Sequence, residues 1–143
     1  MSSEILFISI PNPFLIKVMI VGVGIDIVNI ERIEHLVTRW GDLFLGRVFT
    51  EREINRCQQQ ARPSECFALR FAAKEAFVKA LGLGMRKPVL WRDIEVRRNS
   101  LGKPEISLTP RALQYCTDKG IRSWHLSLTD EGEYGAAIVV IET

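Results

Sequence analysis

Acidic and basic side chains suited to phosphate chemistry occur at two places in the sequence. Asp26 ends a short apolar stretch just before a helical pattern, where a carboxylate serves as a helix cap or as a metal ligand. Glu75 and Lys79 are four residues apart, so a helix would place them on one face. Two carboxylates brought together would suit Mg²⁺, which needs few protein ligands when phosphates complete its shell. From the residues alone, a cap at Asp26 is preferred, and Glu75 with Lys79 can equally form an ordinary surface pair.

Two further features have both a functional and a structural interpretation. Gly82 and Gly84 follow the helical stretch, and short glycine loops let backbone amides approach a pyrophosphate, although Gly82 is also a normal helix stop. His125 shares a predicted strand face with Ser127 and Thr129, which is typical of a half-exposed polar face. On spacing alone, the structural interpretation is preferred for both.

The strand that carries Asp26 is predicted over 20–26, where two kinds of residue alternate. One face is apolar: Val21, Val23 and Ile25. The other face carries Gly22, Gly24 and Asp26, so its backbone is left bare. A ligand could approach there, or another segment of the chain could pack against it.

Helix signals position the remaining candidates. Asn29 is a predicted N-cap for a helix over 30–40, and Thr50 with Glu53 forms a capping box. Further helices are predicted over 64–81 and from Thr109 to Gly120, and further strands over 93–98, 104–108, 124–129 and 136–141. The order predicts a single α+β domain with a mainly antiparallel sheet over 19–143, preceded by an N-terminal extension over 1–18.

Bulk composition excludes several classes of protein. The chain has 143 residues, of which 47% are hydrophobic and 25% charged, as expected for one globular domain. A formal net charge of +2 is too small to indicate a nucleic-acid-binding protein. The extension over 1–18 lacks a basic start, and prolines interrupt its apolar run, so neither a signal peptide nor a membrane span is expected.

Cysteine and histidine usage bears on redox state and metal type. The three cysteines, Cys57, Cys66 and Cys116, are odd in number and lack metal-ligand spacing, which predicts reduced thiols in an intracellular protein. His35 and His125 are the only histidines, and neither has a partner at ligand spacing, so no zinc site is expected. Any metal should be bound by oxygen.

Two segments of the sequence resemble signature segments of bacterial holo-acyl-carrier-protein synthases. The first is Gly24–Ile33 (GIDIVNIERI) and the second is Arg70–Gly82 (RFAAKEAFVKALG). Similarity continues through 93–96, 102–104 and 124–129, so the resemblance covers about 19–142. It implies the 4′-phosphopantetheinyl transferase fold and a cytoplasmic enzyme of fatty acid biosynthesis. Such an enzyme transfers phosphopantetheine from coenzyme A to a serine of acyl-carrier protein. The resemblance also implies a homotrimer with sites between subunits.

The same resemblance implies roles for individual residues. Asp26 and Glu75 match the Mg²⁺ ligands of the family, which reverses the preference for a cap at Asp26, and Lys79 matches a lysine at the transferring phosphate. The residues assigned to coenzyme A are Arg62, Lys74, Gly82, Gly84 and His125. Arg32 and Arg39 match arginines that meet the acidic carrier protein. A non-catalytic module that binds coenzyme A or the carrier is the alternative, and a nucleic-acid-binding domain ranks below it.

Overall fold

The computed structural model describes residues 17–143. This part of the chain contains five α-helices and five β-strands. The strands are β1 (Ile20–Asn29), β2 (Ile94–Arg98), β3 (Pro104–Leu108), β4 (Ser123–Glu131) and β5 (Tyr134–Glu142). The helices are α1 (Ile30–Trp40), α2 (Asp42–Val48), α3 (Glu51–Gln58), α4 (Pro63–Ala80) and α5 (Pro110–Asp118). The predicted α+β class is confirmed. The predicted extension over 1–18 lies outside the described residues except for its last two positions.

The strands form two antiparallel sheets. One has the order β1-β5-β4, and the other is the β2-β3 hairpin. Helix α4 packs against β1 and β5 and lies across one face of the three-stranded sheet. This arrangement confirms the predicted antiparallel pairing and places the long helix at the centre of the core.

Glycines in β1 explain how closely α4 approaches the sheet. A Cβ atom built on Gly24 would lie 1.8 Å from the carbonyl oxygen of Ala76, and one built on Gly22 would lie 2.1 Å from that of Ala80. Any side chain at either position would therefore collide with the helix backbone. The sequence left two possibilities for the bare glycine face, a ligand or another segment of the chain. The structure shows the second, because helix α4 packs there.

Helix starts follow the predicted caps. The side chain of Asn29 accepts a hydrogen bond from the backbone N–H of Arg32 at 3.1 Å, and α1 has the predicted bounds. Thr50 and Glu53 form the predicted capping box at the start of α3. Helix α2 was not predicted, because its seven residues lie between Gly41 and Phe49 without a side-chain cap or a long apolar period.

The first strand is longer than its alternating pattern predicts. Its pairing with β5 continues through Asp26 opposite Ala137 to Asn29 opposite Tyr134. Asp26 therefore lies inside the strand, three residues before the helix cap. The interpretation of Asp26 as a cap is wrong, since Asn29 has that role.

The cysteines differ from the predicted reduced state. Cys57 and Cys66 form a disulfide with a Cα–Cα distance of 5.3 Å, and Cys116 is free and buried. The prediction of three reduced thiols is therefore wrong for two of them. The turn that precedes Pro63 folds the start of α4 back against the end of α3, which brings together two cysteines nine residues apart. No helix among residues 17–143 is long and apolar enough to cross a membrane.

Candidate active site

Asp26 and Lys79 meet where the middle of β1 crosses the last turn of α4. The ammonium of Lys79 donates hydrogen bonds to Oδ1 of Asp26 at 2.9 Å and to the carbonyl oxygen of Ile25 at 3.1 Å. The side chain of Asp26 is 15% exposed and that of Lys79 is 50% exposed. The pair is therefore anchored in the sheet and still open to solvent on the side of the lysine.

Glu75 lies one turn earlier on α4 and is half-buried. Burial raises the pKa of its carboxyl group and the negative charge of Asp26 raises it further, while Lys79 and Arg32 oppose that shift. The two carboxylates are thus close enough to repel each other. The alternative of a plain Glu75–Lys79 surface pair is not what the structure shows, because the ion pair of Lys79 is with Asp26.

These two carboxylates have the donor chemistry that a magnesium ion requires. Both are hard oxygen donors, and a cation between them would relieve the repulsion that raises the pKa of Glu75. Within residues 17–143, no group of three or more His, Cys, Asp or Glu side chains is arranged to hold a metal ion. Asp26 and Glu75 therefore fit Mg²⁺ as a partial ligand set that phosphate oxygens and water would complete.

The loop after α4 has the structure of a helix stop. Gly82 has a positive φ of 75°, and the N–H groups of Gly82 and Leu83 donate to the carbonyl oxygens of Lys79 and Val78 at 3.0 and 2.8 Å. This geometry supports the structural interpretation of Gly82. Gly84 is exposed, and an added Cβ would meet nothing within 4 Å. A phosphate-binding role for the two glycines stays a prediction.

Lys74, predicted to bind coenzyme A, has a different environment. Its side chain has no exposed surface, and its ammonium donates to Oε1 of Glu53 at 2.6 Å and to the carbonyl oxygens of Val48 and Trp91 at 2.7 and 3.1 Å. Burial lowers the pKa of Lys74, and the charge of Glu53 opposes that shift. Three acceptors occupy its three N–H groups, so Lys74 has no donor left for a phosphate, and we correct its assignment to a structural one.

Arginines line a cavity at the other end of α4. This arginine cavity has a volume of about 260 Å³, and its wall includes Arg56, Arg62, Glu65, Cys66, Arg70 and Arg98. Arg62 is exposed and forms an ion pair with Glu65 at 2.7 Å. Arg70 is only 5% exposed, and its Nε is buried without a hydrogen-bond partner. The wall therefore has four arginines against one glutamate, a positive charge that suits an anion.

His125 is on the opposite face of the sheet from Asp26. It lies beside Val140 of β5, which lies beside Val23 of β1, and its Nε2 is 2.9 Å from Oε2 of Glu142. Asp26 shares its row with Ala137, which faces α4. One chain therefore does not bring His125 to the carboxylate pair. The predicted polar strand face is confirmed, since His125, Ser127 and Thr129 are all exposed.

The outer surface of α1 carries Arg32 and Arg39, both exposed. The guanidinium of Arg39 lies 5.2 Å from the ring centroid of Trp40, whose own exposure is 50%. Leu43, in the following helix, is 77% exposed. This surface thus combines positive charge with large apolar groups.

A family model described as the 4′-phosphopantetheinyl transferase superfamily matches residues 22–139, a span that contains both carboxylates and the whole of α4. The chain belongs to this superfamily. Its curated relatives include a holo-[acyl-carrier-protein] synthase of Geobacter sulfurreducens, which is 47% identical over 124 residues. That alignment covers 87% of this chain and 98% of the relative.

Solved structures of other superfamily members have the same fold. The holo-[acyl-carrier-protein] synthase of Neisseria meningitidis superposes with a TM-score of 0.84 at 41% identity, over 87% of this chain and 100% of that one. The Helicobacter pylori enzyme, in complex with coenzyme A, superposes with a TM-score of 0.75 at 34% identity, over 83% and 98% of the two chains.

Within this superfamily fold, the predicted site residues fall in separate places. Asp26, Glu75 and Lys79 come together, whereas Arg62 is at the arginine cavity and His125 is across the sheet. Arg70, which lines the arginine cavity, has no role in the sequence analysis. It is the first residue of the second signature segment and the eighth residue of α4, where a charged side chain among mostly buried neighbours was a signal that the sequence offered.

Proposed function

We propose that this chain transfers the 4′-phosphopantetheine group of coenzyme A to a serine of apo-acyl-carrier protein, and that it supports fatty acid biosynthesis in the cytoplasm. The products are holo-acyl-carrier protein and adenosine 3′,5′-bisphosphate. The observation that carries the proposal is the cluster of Asp26, Glu75 and Lys79, which the family fold places between β1 and α4. Phosphoryl transfer depends mainly on positioning and on charge stabilisation, and this cluster offers both.

We assign Asp26 and Glu75 as the ligands of Mg²⁺. When bound there, the ion supplies positive charge to the phosphate oxygens during transfer. The chain itself contributes two carboxylates on rigid elements, since Asp26 is fixed within a paired strand and Glu75 within the central helix. This placement limits how far either ligand can move.

Lys79 has the geometry to act on the leaving group. Its ammonium is half-exposed and lies within hydrogen-bond distance of Asp26, so it can also reach a phosphate oxygen at the open side of the site. In the reaction, the serine oxygen bonds to the β-phosphorus of coenzyme A as its proton passes to water, and the bond from that phosphorus to the bridging oxygen breaks. A cation at Lys79 stabilises the negative charge that departs on that oxygen with adenosine 3′,5′-bisphosphate.

The arginine cavity suits the nucleotide end of coenzyme A. Arg62 and Arg70 are among the arginines that line it, and guanidinium groups pair well with phosphate. At 1.5 Å per helical residue, Arg62 is roughly 20 Å along α4 from Glu75. That separation is suitable for a long ligand whose two ends are held at different sites.

We further propose a homotrimer in which neighbouring subunits complete each site. The sheet face away from α4 exposes an apolar row in which Val23, Ile25 and Ile27 are 56, 65 and 68% exposed. An exposed apolar face of this kind is typical of a subunit interface. Because His125 and Asp26 lie on opposite faces of one sheet, a site that contains both needs two chains.

Carrier-protein docking is assigned to the outer surface of α1. Arg32 and Arg39 supply positive charge for an acidic partner, and Trp40 and Leu43 supply exposed apolar contact area beside them. Charged residues of this kind speed the encounter, and buried aromatic anchors then provide affinity.

Mass spectrometry of an apo-acyl-carrier protein tests the proposed reaction directly. After incubation with this protein, coenzyme A and Mg²⁺, we expect the carrier to gain the mass of one phosphopantetheine and adenosine 3′,5′-bisphosphate to appear. A chelator should prevent both changes. Binding of coenzyme A without any mass gain on a competent carrier would instead support a non-catalytic binding module.

Charge reversal on α1 tests the docking surface. We expect the Arg32→Glu/Arg39→Glu variant to raise KM for the carrier by about 10-fold, because its field repels an acidic partner. The effect should shrink at high salt. Lys119→Glu, an exposed charge reversal at the end of α5, is the matched control. An unchanged KM in the double variant would remove these arginines from the docking surface.

A further inference from the structure

The disulfide between Cys57 and Cys66 forms part of the wall of the arginine cavity. Cys57, on α3, has no exposed surface, whereas Cys66, in the first turns of α4, is half-buried and lines the cavity. The bond closes a ring over 57–66 that contains Arg62. Of the two bonded residues, only Cys66 therefore has exposed surface and lines the cavity.

Arg70 connects this disulfide to the anion-binding donors. Its Nη1 donates to Sγ of Cys66 at 2.9 Å and to the carbonyl oxygen of Cys66 at 3.4 Å, while its Nε lacks a partner. The guanidinium is thus held against Cys66 in the wall of the cavity. It also supplies a positive charge that stabilises an anionic sulfur when the bond opens.

We propose that Cys57 and Cys66 are a reversible dithiol–disulfide pair that regulates how tightly the arginine cavity binds the phosphate-bearing end of coenzyme A. The identity of the ligand rests on the proposed function. The fold holds the two cysteines at a Cα–Cα distance of 5.3 Å, which suits a disulfide bond between the end of α3 and the start of α4.

The redox step balances with a dithiol reductant. A thiolate of the reductant attacks Sγ of Cys66, the cysteine that lines the cavity, and the Cys57 sulfur leaves as a thiolate that takes up a proton. The second thiol of the reductant then displaces Cys66 from the mixed disulfide. Two electrons and two protons pass from the dithiol to the cysteines, and the reductant leaves as a cyclic disulfide.

Opening the bond should weaken binding in the cavity. The ring over 57–66 loses its cross-link, so Arg62 gains freedom that must be lost again when a phosphate binds. This effect predicts that reduction raises the Kd by about 3- to 10-fold.

Calorimetric titration with adenosine 3′,5′-bisphosphate measures this difference on the full chain. Alkylation and mass spectrometry verify the thiol state of each sample. We expect the oxidised protein to bind more tightly by the stated factor and the Cys66→Ser variant to bind like the reduced protein in both conditions. Cys116→Ser, which alters the free buried cysteine of α5, should keep the full redox response.

Amide hydrogen exchange over 58–65, measured without nucleotide, tests the redox pair independently of the proposed function. We expect faster exchange in the reduced protein. Equal affinity in the two redox states, or a disulfide that a dithiol cannot open in the folded protein, would overturn the redox pair. If neither form binds the bisphosphate, the proposed function is contradicted, and equal exchange rates would then reject the redox pair as well.

Discussion

Exchange of Glu75 for Gln is expected to lower kcat/KM for phosphopantetheine transfer by about 100- to 1,000-fold. The substitution keeps the shape of the side chain and removes the negative charge that we assign to Mg²⁺ binding. Asp26→Asn should have an effect of the same order, since the second ligand is then neutral. Steady-state transfer assays over a range of Mg²⁺ concentrations would show the loss as weaker activation by the ion.

Although its transfer activity falls, the Glu75→Gln variant should not lose stability against unfolding. The pKa of Glu75 is raised in the folded protein, so the folded state holds this proton more tightly than the unfolded state does. The stabilising effect of that protonation is present at low pH and is lost as the pH rises through the folded pKa. At neutral pH the ionised carboxylate therefore destabilises the fold, and we expect the neutral Gln variant to be at least as stable as the parent in urea.

A matched control separates the loss of transfer activity at the proposed metal site from the effect of removing any one carboxylate. Glu51→Gln removes an exposed carboxylate from the first turn of α3, and we expect transfer activity within about twofold of the parent. Full activity in either Glu75→Gln or Asp26→Asn would contradict the metal assignment. Loss of activity together with loss of the folded state would indicate a structural role instead.

The carboxylate pair illustrates how far the sequence could predict the site. The alternating pattern of β1 placed Asp26 on the same face as two glycines, and helical spacing placed Glu75 and Lys79 together. What brings the two segments together is the contact between Gly24 and the backbone of Ala76, which joins residues far apart in the chain. Local spacing could indicate the two halves, but only the packing shows that they meet.

The predicted helix caps were accurate, whereas the end of β1 and the pairing of the cysteines, which depend on particular distant contacts, were not predicted correctly. The capping pattern at Asn29 gave α1 its correct bounds. The end of β1 was placed three residues early, because the pairing of Asn29 with Tyr134 has no local signal. The cross-link of Cys57 to Cys66 depends likewise on how the turn before Pro63 folds α4 back, which cysteine spacing does not reveal.

Lys74→Met is expected to lower the free energy of unfolding by about 3–5 kcal/mol. The reason is that the substitution leaves the carboxylate of Glu53 without its cation. Oε1 of Glu53 accepts from Lys74 at 2.6 Å and from the backbone N–H of Thr50 at 3.0 Å, and Oε2 accepts from the N–H of Val96 at 3.0 Å. Without the ammonium, a carboxylate that is only 1% exposed stays buried with its charge unpaired.

Urea unfolding of these two variants beside the parent would test this account. Neutralising both partners in Lys74→Met/Glu53→Gln should recover roughly half of the loss or more, because no unpaired charge is then buried and the amide oxygen can still accept backbone hydrogen bonds. A double variant that is as unstable as Lys74→Met, or a single variant within about 1 kcal/mol of the parent, would contradict the buried ion pair as a stabilising element.

Lys79→Met is the natural comparison, because it removes a lysine of the same helix five residues further on. That side chain is half-exposed, and its ion pair with Asp26 is open to solvent, so its loss should change the unfolding free energy by at most about 1 kcal/mol. Its removal should nevertheless abolish most of the transfer activity. Opposite profiles for the two lysines would show that α4 uses one ammonium to hold the core together and the other to act on the phosphate. Equal changes in unfolding free energy and in transfer activity for the two variants would mean that burial does not separate the two roles.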